Sequence, residues 1–90
     1  MGPTDAAEVE ATLRGVLADV LGLDPARVAR FDPASPLFGA LPEFDSMAVA
    51  GLLTELEERL GVLIEDHEVD AEMMATFGSL LTFARAKALR

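Results

Sequence analysis

Three stretches of this chain place apolar residues at steps of three and four, and no stretch alternates apolar with polar residues. The first pattern marks a helix buried along one side, and the missing second pattern would mark a half-exposed strand. The chain is therefore expected to be all-α. Val9, Leu13, Val16, Leu17, Val20 and Leu21 form one stripe, predicting a helix over 5–21. Asp5 with Glu8 three residues later resembles a capping box with Asp in the Ser/Thr position. Gly22 stops the helix, and Leu23 can fold back on its last turn. Val49, Leu52, Leu53, Leu56 and Leu60 predict a second helix over 46–60, and Gly61-Val62 repeats the same stop. Phe77, Leu80, Leu81 and Ala84 predict a last helix over 77–89 with Thr76 as N-cap. Arg85, Lys87 and Arg90 lie near its C-terminus, where cations suit the helix dipole. A short helix is also expected over 70–75, capped by Asp70 and buried through Met73 or Met74.

Residues 23–44 join the first two long helices and contain Pro25, Pro33, Pro36 and Pro42. A connection of that length in a compact domain needs a reason. Val28, Phe31, Leu37, Phe38 and Leu41 can pin it to the core. Asp24-Pro25 and Ser35-Pro36 each read as the start of a short helical turn, with Pro at the first helical position.

At 90 residues the chain is expected to form a single domain with one modest core. It has no cysteine, so a disulfide framework and a thiolate zinc site are excluded, and any thiol must arrive on a cofactor. No basic start precedes an apolar block, and no apolar run approaches the ~20 residues that span a bilayer. These features predict a cytoplasmic protein without membrane contact.

Charge is unevenly distributed. Residues 43–72 carry ten acids against Arg59 alone, whereas residues 73–90 carry three bases and no acid. The acidic segment repels nucleic acid and steers basic protein surfaces toward itself. Glu65 to Glu72 lacks the alternating ligands, central Gly and closing Glu of a calcium loop, so no metal site is expected.

Ser46 stands at the mouth of the second helix, in the run Leu41-Pro42-Glu43-Phe44-Asp45-Ser46-Met47. Two local arrangements are open. Ser46 can itself be the N-cap, the ordinary role of serine before an amphipathic helix. Alternatively Asp45 caps, Phe44 packs on Val49 as a hydrophobic staple, and the Ser46 hydroxyl is left free beside unpaired backbone N–H groups. A phosphate ester on that hydroxyl would feel the positive end of the helix dipole. Self-catalysis does not suit the inventory: the one histidine, His67, is about twenty residues away in an acidic loop, and a triad needs a positioned base and an oxyanion site.

With Asp45-Ser46-Met47 opening an acidic helix after a long loop, nearly the whole chain resembles an acyl carrier protein. Leu56-Glu57-Glu58-Arg59-Leu60 is similar to the end of that family's second helix, and Ile64-Glu65-Asp66 to the start of its next loop. The resemblance implies a four-helix bundle with a long first loop and a short third helix. It implies that Ser46 receives 4′-phosphopantetheine from coenzyme A, with Asp45 as cap and motif residue. It also implies a non-enzymatic, monomeric carrier of acyl thioesters. Partners would be a phosphopantetheinyl transferase and acyl-loading ligases, synthases or acyltransferases with basic docking surfaces. Glu43, Met47, Glu55, Glu57, Glu58, Glu65, Asp66 and Glu68 are the candidate docking residues.

The chain departs from the family pattern in two places. Glu43 and Phe44 stand where a glycine commonly precedes the serine. Ala48, Val49, Ala50 and Gly51 replace the acids that follow the serine in housekeeping fatty-acid carriers. Gly51 is either a tolerated small residue, at about 1 kcal/mol relative to Ala, or a point of close approach by a partner or by the packed loop. A less charged first turn and a more acidic later surface point to a specialised carrier for lipid, polyketide or surface-polysaccharide biosynthesis. The competing reading is an unmodified acidic helical adaptor that docks basic partner proteins.

Overall fold

The computed structural model describes residues 3–89. It contains four α-helices: α1 (Ala6–Leu21), α2 (Pro25–Ala29), α3 (Ser46–Leu60) and α4 (Phe77–Ala88). A 3-10 turn spans Asp66–Glu68. Among the described residues there is no strand, only an isolated antiparallel bridge between Pro36 and Thr76.

The predicted stripes form the core, except that Leu53 of α3 is half-buried and lies outside the cluster. Val9, Leu13, Val16, Leu17 and Leu21 of α1 pack with Leu52, Leu56 and Leu60 of α3, and with Phe77, Leu80, Leu81 and Ala84 of α4. Val20 sits half-buried at the edge of this cluster. Both long-helix stops are as expected: Gly22 and Gly61 adopt φ 66°. The next amides fold back, Leu23 N donating to Ala18 O at 3.1 Å and Val62 N to Glu57 O at 3.1 Å. The αL turn costs glycine no side-chain clash.

The box at α1 is only half formed. The Asp5 carboxylate accepts from Glu8 N at 2.8 Å, but the Glu8 side chain accepts from the Thr4 hydroxyl at 2.8 Å instead of reaching back to the cap. At α4 the reciprocal arrangement is complete, formed by Thr76 and Ser79.

The connection between α1 and α3 is packed. Asp24 caps α2 and Pro25 opens it, as the sequence predicts. Val28 and Leu37 are buried, while Phe31, Phe38 and Leu41 lie half-buried against the core. The second expected helical turn is displaced. Pro36 is extended in the bridge to Thr76, and the turn falls at 33–34, where Asp32 accepts from Ala34 N at 2.8 Å. Asp32 outcompetes Ser35 because its carboxylate reaches an amide two residues ahead.

The expected helix over 70–75 is instead a run of turns. Asp70 does cap it, accepting from Met73 N at 2.7 Å, and Met74 is buried. Its carbonyls, however, serve other elements. Ala75 O and Met74 O accept from Leu37 N and Phe38 N at 2.8 and 3.1 Å, and Met73 O accepts from the Ser79 hydroxyl at 2.8 Å. These contacts tie the segment to the first loop and to α4 as a series of turns, and so short a segment has little helical propagation to set against them. The all-α, four-helix architecture holds, with the short helix in the first loop.

Arg85 and Lys87 act across elements and not only on the α4 dipole; Arg90 lies outside the described residues. Arg85 bonds Glu10 at 3.0 Å, and Glu10 also holds Arg14, whose guanidinium reaches Val28 O at 2.7 Å and lies 4.4 Å over the Phe77 ring. Lys87 holds Glu68 at 3.0 Å. The hydrogen bond from Arg14 keeps the Glu10 carboxyl below its ordinary value. Glu68 is lowered first by the Glu65 amide and then by Lys87.

Because both folded values are depressed, their contribution is fully present above the unfolded value of about 4.5 and is lost as pH falls through the folded values. A Glu68→Gln variant is therefore expected to melt below the native chain at neutral pH. The difference should close as pH falls below about 4.5, as followed by thermal melts monitored by circular dichroism. A gap that does not change with pH would show that Glu68 makes no titratable contribution.

Candidate functional site

Leu41 to Ser46 turn the packed loop into α3. Phe44 N donates to Leu41 O at 3.0 Å. The Phe44 ring is 3% exposed and meets Phe38 edge-on, with centroids 5.7 Å apart. Phe44 lies in the core with Val49 packed against it, and the aromatic partner of Phe44 is Phe38. With Phe44 anchored, the next residue is held at the helix mouth.

Asp45 is the cap. Its backbone is extended, its carboxylate accepts from Ala48 N at 2.9 Å, and its carbonyl accepts from Val49 N at 3.0 Å. Ser46 is thus the first helical residue and is exposed. The alternative in which Ser46 caps the helix is overturned, because the aspartate carboxylate reaches the third amide and leaves the hydroxyl nothing to cap. Among the described residues the Ser46 hydroxyl makes no hydrogen bond, and the amides of Ser46 and Met47 have no acceptor. An alcohol, two free N–H groups and the positive end of a helix dipole thus converge at one point.

An open pocket of about 430 Å³ adjoins this point. Phe38, Leu41, Pro42 and Phe44 supply apolar walls, and Asp45 and Ser46 complete the lining with Gly39 and Ala40. In sequence, Phe38 and Leu41 read only as residues that pin the loop to the core. The available signal was Gly39, whose φ of 91° turns the chain between them.

The candidate docking residues divide into two groups. Met47 is 84% exposed beside Ser46. Glu43, also beside it, faces Arg27 at 3.5 Å. Glu58 and Asp66 are exposed and enter no ion pair among the described residues. Glu65 is likewise exposed and enters no ion pair among the described residues, whereas Glu55, Glu57 and Glu68 are held internally. Glu55 bonds Arg59 at 2.9 Å, and Arg59 also bonds Asp19 at 2.8 Å. Glu57 accepts from Ile64 N at 2.8 Å. Glu68 accepts from Glu65 N at 2.8 Å as well as from Lys87.

The docking set therefore does not form one uniform patch. A helical rise of about 1.5 Å per residue puts Glu58 roughly 18 Å from Ser46 along α3, and Glu65, Asp66 and Glu68 follow α3 in the chain. Gly51 approaches α1, not the loop: a Cβ there would stand 3.3 Å from a Val20 methyl. His67 is exposed on the 3-10 turn and is not bonded to Ser46.

The chain matches the phosphopantetheine attachment site family over residues 11–85. Among solved structures it is similar to the solution structure of a holo acyl carrier protein from Nitrosomonas europaea. The two share 40% sequence identity and superpose with a TM-score of 0.76, over 87% of this chain and 92% of that one. No curated protein sequence matches the chain.

Proposed function

Given that this chain belongs to the acyl carrier protein family and carries its phosphopantetheine prosthetic group, we propose that Ser46 is the attachment residue. The observation that supports this is the division of labour at α3, where Asp45 takes the capping role and the Ser46 hydroxyl stays exposed and unbonded. The residues present fit the group. The exposed alcohol accepts a phosphodiester, the free amides of Ser46 and Met47 face its charge, and the adjoining pocket leaves room for the chain beyond it.

In the attachment reaction the Ser46 oxygen attacks the pantetheine-bearing phosphorus of coenzyme A. A new P–O bond forms, the bond to the adenosine bisphosphate breaks, and the serine proton passes to a base on the transferase. When bound, the group supplies a terminal thiol on which acyl intermediates are carried as thioesters. This chain has no cysteine to compete for them.

In this reading all 90 residues form one carrier domain that works as a cytoplasmic monomer without catalysis of its own. Among the described residues no helix is long and apolar enough to cross a membrane. Its partners are a phosphopantetheinyl transferase and the ligases, synthases or acyltransferases that load and use the acyl group. They would meet uncharged Met47 and Ala50 near the attachment point and the free acids Glu58 and Asp66 farther along. This uncharged first turn supports service in specialised lipid, polyketide or surface-polysaccharide synthesis.

Incubation with a phosphopantetheinyl transferase, coenzyme A and magnesium is expected to add the mass of one phosphopantetheine to the intact protein. No mass gain with several transferases would overturn the assignment of Ser46.

A further inference from the structure

The pocket beside Ser46 does more than leave room. Resting on the assignment of Ser46 as the attachment residue, we propose that this pocket is the seat of the resting phosphopantetheine arm, with its methyl-bearing portion against Phe38, Leu41, Pro42 and Phe44. Three observations support it.

The first is tethering. Ser46 itself lines the pocket, so a group bonded to its hydroxyl is held at high effective concentration over it. The cavities at Arg14–Ala29, about 210 Å³, and at Asp70–Thr82, about 430 Å³, include neither Ser46 nor a neighbour of it.

The second is fit. At about 430 Å³ the pocket lies in the range of roughly 300–1,000 Å³ usual for small-molecule sites, which pair apolar walls with a few polar groups. Here the walls are two aromatic rings, Leu41 and Pro42. The carbonyls of Gly39 and Ala40 accept no hydrogen bond among the described residues, so acceptors remain for the two amides of the arm.

The third is charge. Asp45 is the one ionisable side chain in the lining. The phosphate, bonded to Ser46, stays at the helix mouth facing the amides of Ser46 and Met47, while the uncharged remainder meets no other charge in the lining.

The test uses isotope-labelled protein loaded on Ser46, with loading verified by intact mass. Nuclear Overhauser contacts are expected between the arm's methyl groups and the Phe38, Leu41 and Phe44 side chains. Amide shifts at Gly39, Ala40 and Leu41 should accompany them. Ala40→Trp fills the pocket from an exposed position; once its own loading is verified by intact mass, it is expected to lose these contacts. Loading without contacts to Phe38 or Phe44, or with contacts to Val62 or Met73 instead, overturns the seat alone. Failure to load at all, seen first in the mass spectrum, overturns the Ser46 assignment and the seat with it.

Discussion

Ser46→Ala is expected to take up no phosphopantetheine under conditions that load the native chain completely, with its melting temperature almost unchanged. The two halves of this expectation come from the same geometry. The Ser46 hydroxyl is exposed and makes no hydrogen bond among the described residues, so its removal leaves no partner unsatisfied. Such surface changes stay within about 0.5 kcal/mol, and alanine is the better helix former. Loss of loading therefore cannot be ascribed to unfolding.

Asp45→Ala supplies the contrast. It removes the acceptor of Ala48 N and costs about 1 kcal/mol as a lost cap. Ser46 then becomes the nearest hydroxyl able to cap the helix, so loading should slow without being abolished. Intact mass over time and thermal melts on the three proteins measure both effects. Full loading of Ser46→Ala, at Ser35 or Ser79, would move the attachment point and undo the functional reading.

The contrast between these neighbours also shows what one sequence can and cannot reveal. Helices α1, α3 and α4 were legible because a stripe such as Val9, Leu13, Val16, Leu17 records burial directly in its spacing. Their ends were legible because caps are local: Asp45, Thr76, Gly22 and Gly61 each act within a few residues of themselves. The Asp-Ser pair was legible as a site but ambiguous in detail, since both residues can cap and only the backbone decides which does. The segment 70–75 reads as a helix in sequence because its tie to Leu37 and Phe38, more than thirty residues earlier in the chain, has no local signature. The acidic patch was readable as composition but not as surface. Glu57 and Glu68 look like Glu58 in sequence, yet one closes on Ile64 N and the other on Lys87. Long-range pairing of this kind leaves no periodic trace.

Gly78 shows the same limit, and Gly78→Ala is expected to be the most destabilising small substitution in α4. On an exposed helix this change would stabilise by up to about 1 kcal/mol. Here the sign reverses. A Cβ at Gly78 would stand 2.7 Å from Pro33 O and 3.0 Å from its Cα, and both are backbone atoms that cannot swing aside. The first loop clasps the start of α4 at this point. Gly78 N donates to Pro33 O at 3.0 Å and Phe77 N to Ser35 O at 2.9 Å, which satisfies two helix-end donors that have no partner within the helix.

Pushing the loop away loses both bonds, at about 1 kcal/mol each, and loosens the bridge between Pro36 and Thr76. A loss of roughly 2–3 kcal/mol would lower the melting temperature of a domain this size by at least about 10 °C. Gly51→Ala is the matched control. Its Cβ would meet only the end of the Val20 side chain at 3.3 Å, which can give, so it should stay near neutral. Thermal melts of the two variants decide the matter, and a Gly78→Ala protein as stable as the native chain would mean that the loop does not clasp α4. If it does, the same variant should free residues 33–41, of which 38–41 form part of the wall of the pocket beside Ser46. Its loaded form should then show weaker contacts between the arm and Phe38 while still gaining one phosphopantetheine, because the cap at Asp45 is untouched.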